Sequence, residues 1–154
     1  MKPGDTVADF ELPDQTGTVR SLAALLADGP MVLFFYPAAM TPGCTKEACH
    51  FRNLTEEFAA VGAQRVGISA DRVDKQAQFA AKYDFDYPLL SDVDGTVAAA
   101  FGVKRGLLGK VLPVKRTTFV IDTDRRVLEV IASEFNMATH ADQALAVLRA
   151  AGAA

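Results

Sequence analysis

The chain has 154 residues and a mass of 16.5 kDa, the size of one compact domain, residues 1–154, able to bury about two-thirds of its unfolded surface. Half of the residues are hydrophobic and 23% are charged, which excludes intrinsic disorder and low-complexity chains. A net charge of -3 and a pI near 5.3 argue against nucleic acid as a partner, because that binding rests on positive charge meeting phosphate.

The longest uninterrupted apolar run before a proline is Met31 to Tyr36, far short of the roughly 20 residues that span a bilayer, so no membrane association is expected. Met1-Lys2-Pro3-Gly4-Asp5 meets charge and turn formers where a secretory signal would be apolar. The expected location is therefore the cytoplasm. In that reducing compartment a structural disulfide is disfavoured, so the two cysteines, Cys44 and Cys49, point to redox or metal chemistry.

In chain order, Phe10 to Leu12 and Thr18 to Arg20 flank Asp14-Gln15-Thr16-Gly17, a set of turn formers, and predict a short hairpin. Ser21 starts a small helix through Leu22 to Leu26. Met31 to Tyr36 is apolar on both faces, as in a central strand covered on both sides, and Pro37 stops it. A helix is marked from Thr41, with Pro42 at the first helical position and Gly62 as its stop. Its apolar stripe is Cys44, Ala48, Phe51, Leu54, Phe58 and Val61, and Cys49 lies off it.

Arg65 to Ser69 then reads as a strand, Asp71 to Tyr83 as a helix, Tyr87 to Leu90 as a strand and Thr96 to Phe101 as a helix stopped by Gly102. Such alternation implies parallel crossovers. Val103 to Lys115 lacks a period and reads as a surface loop. Arg116 to Ile121 and Val127 to Ile131 form a hairpin across Asp122 to Arg125, and a last helix buries Ala141, Ala144, Leu145 and Leu148. The pattern predicts an α/β protein with a mixed central sheet, helices on both faces and an N-terminal hairpin, the thioredoxin-like arrangement.

The informative segment runs from Phe35 to Cys49. It sets Cys44 in the first turn of a helix, where free backbone N–H groups and the positive end of the dipole favour an anion. A thiol so placed is favoured as the reactive thiolate. Gly43 allows close approach beside the sulfur, and Thr41 offers a hydroxyl one turn earlier.

Pro37-x-x-x-Thr41-x-x-Cys44 resembles the active-site signature of the peroxiredoxins. Thr41-Pro42-Gly43-Cys44-Thr45-x-Glu47-Ala48-Cys49 is similar to their PrxQ, or bacterioferritin comigratory protein, branch, of the atypical 2-Cys type. The likeness extends from Gly4-Asp5 to Arg116 through Asp122. It implies a thiol peroxidase without a cofactor, acting on hydroperoxides as a monomer and regenerated by thioredoxin or another dithiol protein. In that scheme Cys44 is the peroxidatic cysteine and Cys49 resolves its sulfenic acid through a Cys44–Cys49 disulfide. Thr41 and Arg116 match the positions that hydrogen-bond the peroxide, Glu47 matches a glutamate that orients the network, and Pro37 positions the loop. Ala38-Ala39-Met40 is less polar than many loops of this branch, and His50 stands where an acidic residue is common.

Without the resemblance, Arg116 reads as a solvated strand-edge arginine beside Lys115, and Glu47 as a carboxylate favoured near a helix N-terminus. A copper carrier using Cys44, Cys49 and a histidine is poorly supplied, since the chain holds only His50 and His140. A thioredoxin-type reductase spaces its cysteines by two residues, not four. Gly106-Leu107-Leu108-Gly109-Lys110 has the wrong glycine spacing for a phosphate loop, and Val111 replaces the required hydroxyl.

Overall fold

The computed structural model describes residues 1–105 and 113–153. Its centre is β3 (Met31–Phe35), buried at every position because the apolar run covers both faces of a strand at once. Val32 and Phe34 join one core and Met31, Leu33 and Phe35 the other. On one side β3 pairs in parallel with β4 (Gln64–Ser69), which pairs in parallel with β5 (Leu89–Ser91). On the other side β3 pairs antiparallel with β6 (Thr117–Ile121), with Phe35 opposite Thr117, and β6 pairs antiparallel with β7 (Val127–Ala132). The strand order is β5-β4-β3-β6-β7, a mixed sheet.

A separate hairpin of β1 (Glu11–Pro13) and β2 (Val19–Ser21) precedes it. The Asp14 carboxylate accepts from the Thr16 and Thr18 amides at 2.8 and 3.2 Å, which shapes the hairpin turn. Helix α1 (Leu22–Leu26) follows, capped by the Ser21 hydroxyl on the Ala24 amide at 3.1 Å.

Helices cover both faces. The Phe34 face receives α2 (Pro42–Asn53), α3 (Thr55–Ala60), α4 (Val73–Tyr83) and α6 (Met137–Ala153) through Ala48, Phe51, Phe58, Phe79, Ala144 and Leu145. The Phe35 face receives α1 and α5 (Thr96–Ala100) through Leu22, Leu25, Val97 and Ala98.

Several boundaries differ from the sequence reading. The helix expected from Thr41 to Gly62 is two helices, broken at Leu54 (φ -101°, ψ 24°). Two ladder carbonyls are diverted at the break: the Thr55 hydroxyl donates to that of Arg52 at 2.7 Å and Arg65 Nη1 donates to that of Phe51 at 2.9 Å. Helix α4 starts two residues after Asp71, whose carboxylate accepts from the Ala39 amide at 2.7 Å instead of capping. The strand expected over Tyr87 to Leu90 is displaced to Leu89–Ser91, and Tyr87 uses its hydroxyl on helix α2. Most of the Val103 to Lys115 loop, including Gly106 to Leu112, lies outside the described residues. Its flanks are not a surface loop: Val103 and Val114 are buried, and Lys104 bridges Val114.

Candidate active site

Where β3 ends, Pro37 is buried and the chain turns through Met40 at φ 69°, a left-handed conformation unusual for a residue with a Cβ. Helix α2 then begins at Pro42, which needs no amide hydrogen at that position. Thr41 stands at the N-cap with an extended backbone, but its hydroxyl does not cap the helix. It donates to the Ala38 carbonyl at 2.7 Å, which leaves its oxygen lone pairs available to accept. The first-turn amide groups are therefore left to whatever anion occupies the site.

Cys44 is the third residue of α2 and is 1% exposed, while Cys49 is half-buried; both are free thiols. Arg116, one residue before β6, is 7% exposed although its neighbour Lys115 is exposed. The solvated-arginine alternative is thereby replaced by a buried cation. Its Nη2 donates to the Cys44 sulfur at 3.4 Å and its Nη1 to Glu47 Oε1 at 2.9 Å. The Arg116 amide donates to Glu134 Oε1 at 3.1 Å, and that oxygen also accepts from Arg105 Nη2 at 3.1 Å. A Cβ built on Gly43 would stand 3.2 Å from Arg116 Nη2, so the missing side chain is what admits the guanidinium beside the sulfur.

Glu47 is fully buried one turn beyond Cys44. Burial pushes its carboxyl up to about 8, against the opposing pull of the Arg116 charge and hydrogen bond. Burial acts to lower Arg116, yet the charges of Glu47 and Cys44 outweigh it and hold the guanidinium above its ordinary value. Among the described residues, Oε2 of Glu47 and Nε of Arg116 have no hydrogen-bond partner.

Two residues beside this cluster escaped the sequence reading. Thr118 and His140 are both fully buried, and the Thr118 hydroxyl lies 2.8 Å from His140 Nδ1. The available signal was phase, since His140 falls three residues after Met137 and four before Ala144, on the apolar stripe of α6. His50, by contrast, turns outward to Asp142 at 2.8 Å. Beside Cys49 a shallow pocket of about 260 Å³ is lined by Lys46, Cys49, His50, Asn53 and Ala138. Among the described residues no group of three or more His, Cys, Asp or Glu side chains is gathered as a metal would need, and no helix is long and apolar enough to cross a membrane.

A buried cysteine at a helix N-terminus, backed by an arginine and carried on a thioredoxin-like sheet, defines a thiol-redox site. Residues 3–130 match the AhpC/TSA family model. Peroxidoxin BcpB from Mycobacterium tuberculosis is 77% identical, covers 97% of each chain and superposes with a TM-score of 0.94. The chloroplastic peroxiredoxin Q of Arabidopsis thaliana is 42% identical over 98% of this chain and 68% of its own. The bacterioferritin comigratory protein of Xanthomonas campestris, solved in connection with its alkyl peroxide reduction activity, is 36% identical over 93% of this chain and 92% of its own, with a TM-score of 0.83. The chain belongs to the AhpC/TSA family and is a peroxiredoxin of the PrxQ kind. Its activity is that of a thiol-dependent peroxidase acting on hydroperoxides.

Proposed function

We propose that Cys44 is the peroxidatic residue and Cys49 its resolving partner, in a monomeric cytoplasmic enzyme regenerated by thioredoxin or a similar dithiol protein. The observation that carries this reading is the Arg116 guanidinium, 3.4 Å from the Cys44 sulfur and 2.9 Å from Glu47. The Cys44 thiolate attacks the terminal oxygen of the hydroperoxide; an S–O bond forms, the O–O bond breaks and the electron pair leaves on the departing alkoxide or hydroxide. That anion takes up a proton and departs as alcohol or water. Arg116 stands where its charge develops, and the Thr41 hydroxyl, already donating to Ala38, accepts the peroxide O–H. Pro37 fixes the exit of β3 that sets this loop.

Cys49 then attacks the sulfenic sulfur, forming the S–S bond as the S–O bond breaks and water leaves. The half-buried Cys49 and its pocket suit a protein reductant that reaches the disulfide from outside. The Xanthomonas protein's alkyl peroxide activity, together with the apolar Ala38, Ala39 and Met40 in the loop before α2, favours organic hydroperoxides among the substrates. Peroxide consumption coupled to a thioredoxin system tests the reading, with hydrogen peroxide and an organic hydroperoxide compared side by side. Cys44→Ser is expected to abolish turnover with both, and near-normal turnover in that variant would sink the assignment.

A further inference from the structure

His140 is fully buried in the core-facing stripe of α6, yet no step above uses it. Its surroundings fix the pattern of its protons. Nε2 lies 2.8 Å from the Ser133 carbonyl oxygen, which can only accept, so Nε2 carries a hydrogen. A neutral ring then has a bare Nδ1, and the Thr118 hydroxyl, 2.8 Å away, can donate to it or, once Nδ1 is protonated, accept from it. The same Nδ1 lies 3.5 Å from Oε2 of Glu47, the carboxylate oxygen that has no hydrogen-bond partner among the described residues. With a proton on neither atom, the carboxylate charge lies against a ring nitrogen that is itself an acceptor, both side chains being fully buried. One proton on either side turns that repulsion into attraction, strongly so in a low-dielectric setting.

Building on the roles proposed for Cys44 and Arg116, we infer that His140 is a positioning residue of the peroxidatic site, sharing one proton with Glu47 so that Arg116 faces only one uncompensated negative charge, the Cys44 thiolate. The pair is neutral overall whether the proton rests on the carboxyl or on the ring. When the proton leaves, a second anion competes for Arg116 and weakens its hold on both the sulfur and the departing oxygen. The groups that act on His140 are Glu47 from α2, Thr118 from β6 with Arg116 just before that strand, and Ser133 and Glu134 from the connection into α6. Burial and then the Arg116 charge hold the ring below its ordinary value, while the Ser133 carbonyl and Glu134 pull the other way. Glu47, pushed up to about 8 by burial, is thus the usual seat of the proton at neutral pH.

The ring nitrogens of His140 report the shared proton directly in nuclear magnetic resonance spectra. With both cysteines replaced by serine, no thiol titrates nearby, and the chain's other histidine, His50, is identified by comparison with His140→Gln. The His140 signals are expected to move through one step centred near pH 8, and Glu47→Gln is expected to remove that step. Signals that stay flat between about pH 6 and 10, or a step that survives Glu47→Gln, would overturn the inference. In the cysteine-containing enzyme, His140→Gln is expected to move the alkaline fall of kcat/KM about one pH unit lower, and to leave the profile of Glu47→Gln where it was. A fall in height at an unmoved midpoint would mark His140 as a packing residue only. The resonance measurement needs no turnover, so its outcome is independent of whether Cys44 proves to be the reacting thiol.

Discussion

The Tyr87 hydroxyl donates to the carbonyl of Ala48 at 2.7 Å, tying the middle of α2 to the segment that leads into β5. One turn later Phe51 stacks on Phe34 with ring centroids 4.2 Å apart, and its carbonyl accepts from Arg65 Nη1 at 2.9 Å. Helix α2 is therefore held at Ala48 and Phe51, with Cys44 before both anchors and Cys49 between them. Five residues of helix separate their directions by roughly 140° and their positions by about 7.5 Å, too far and too divergent for a disulfide.

Forming the proposed Cys44–Cys49 disulfide therefore requires the start of α2 to unwind. The buried Phe51 marks where unwinding stops, so loss of amide protection on forming the disulfide is expected from Thr45 to His50 and not beyond. Hydrogen exchange on reduced and oxidised protein measures this. Equal protection over that segment, with the internal disulfide confirmed, would rule out local unfolding.

Arg116→Ala removes the cation beside the sulfur and is expected to slow the reaction with peroxide by about two orders of magnitude, the scale of a lost transition-state donor. The fold should persist, because the backbone hydrogen bonds of β6 begin after this residue. Stopped-flow measurement of the first oxidation step checks it, and a rate equal to the parent's would remove Arg116 from the chemistry.

Cys49→Ser is expected to react once and then stall. Without a resolving thiol the Cys44 sulfenic acid meets further peroxide and climbs to the sulfinic and sulfonic states, visible by mass spectrometry as two or three added oxygens. Sustained thioredoxin-linked turnover in this variant would assign resolution to another source.

Gly43→Ala separates stability from rate. Alanine favours a helix over glycine by roughly 0.5–1 kcal/mol. The added Cβ, however, would lie 3.2 Å from Arg116 Nη2 and displace the guanidinium by a few tenths of an ångström. The expectation is an unchanged or slightly raised melting temperature with peroxide reduction slowed several-fold, and a parental rate would show that the close approach is not needed.

Glu47 makes the fold sensitive to alkali. Its folded value of about 8 lies above the ordinary 4.5, so the folded state binds more protons between the two, and the stability from this group is present below the lower value and lost as pH rises through the upper. His140, lowered mainly by burial, has the opposite sign and subtracts only on the acid side of its ordinary value. Thermal melts from pH 6 to about 9 should therefore fall less steeply for Glu47→Gln than for the parent. Parallel slopes would show that Glu47 does not titrate there.

Much of this was legible in the chain. The apolar run at Met31 to Tyr36 permits only a strand covered twice, and Thr41-Pro42-Gly43-Cys44 carries its own start signal and its own anion site. The break at Leu54 was not legible, because the apolar stripe continues in phase across both helices, while the carbonyls of Phe51 and Arg52 are taken by Arg65 and by the Thr55 hydroxyl. Asp71 looked like a helix start because its alternative partner, the Ala39 amide, is 32 residues away. Arg116 beside an exposed lysine gave no local sign of burial; only the peroxiredoxin resemblance singled it out. His140 could be placed on a buried stripe, but nothing nearby in sequence announces that its ring meets a carboxylate from another helix.

The pairing of β3 with β6 gives the sheet a say in the chemistry. Cys44 and Arg116 lie 72 residues apart and meet because the antiparallel partner of β3 begins where β3 ends, with Phe35 opposite Thr117. A strand advances about 3.3 Å per residue and reverses its face at each one, so a one-residue slip would carry the guanidinium away from the sulfur and onto the opposite side. The alignment of two oily strands thus acts as the gauge that sets reactivity, and a substitution such as Phe119→Ala, far from any reacting atom, would be felt as a loss of peroxidase rate as well as of stability.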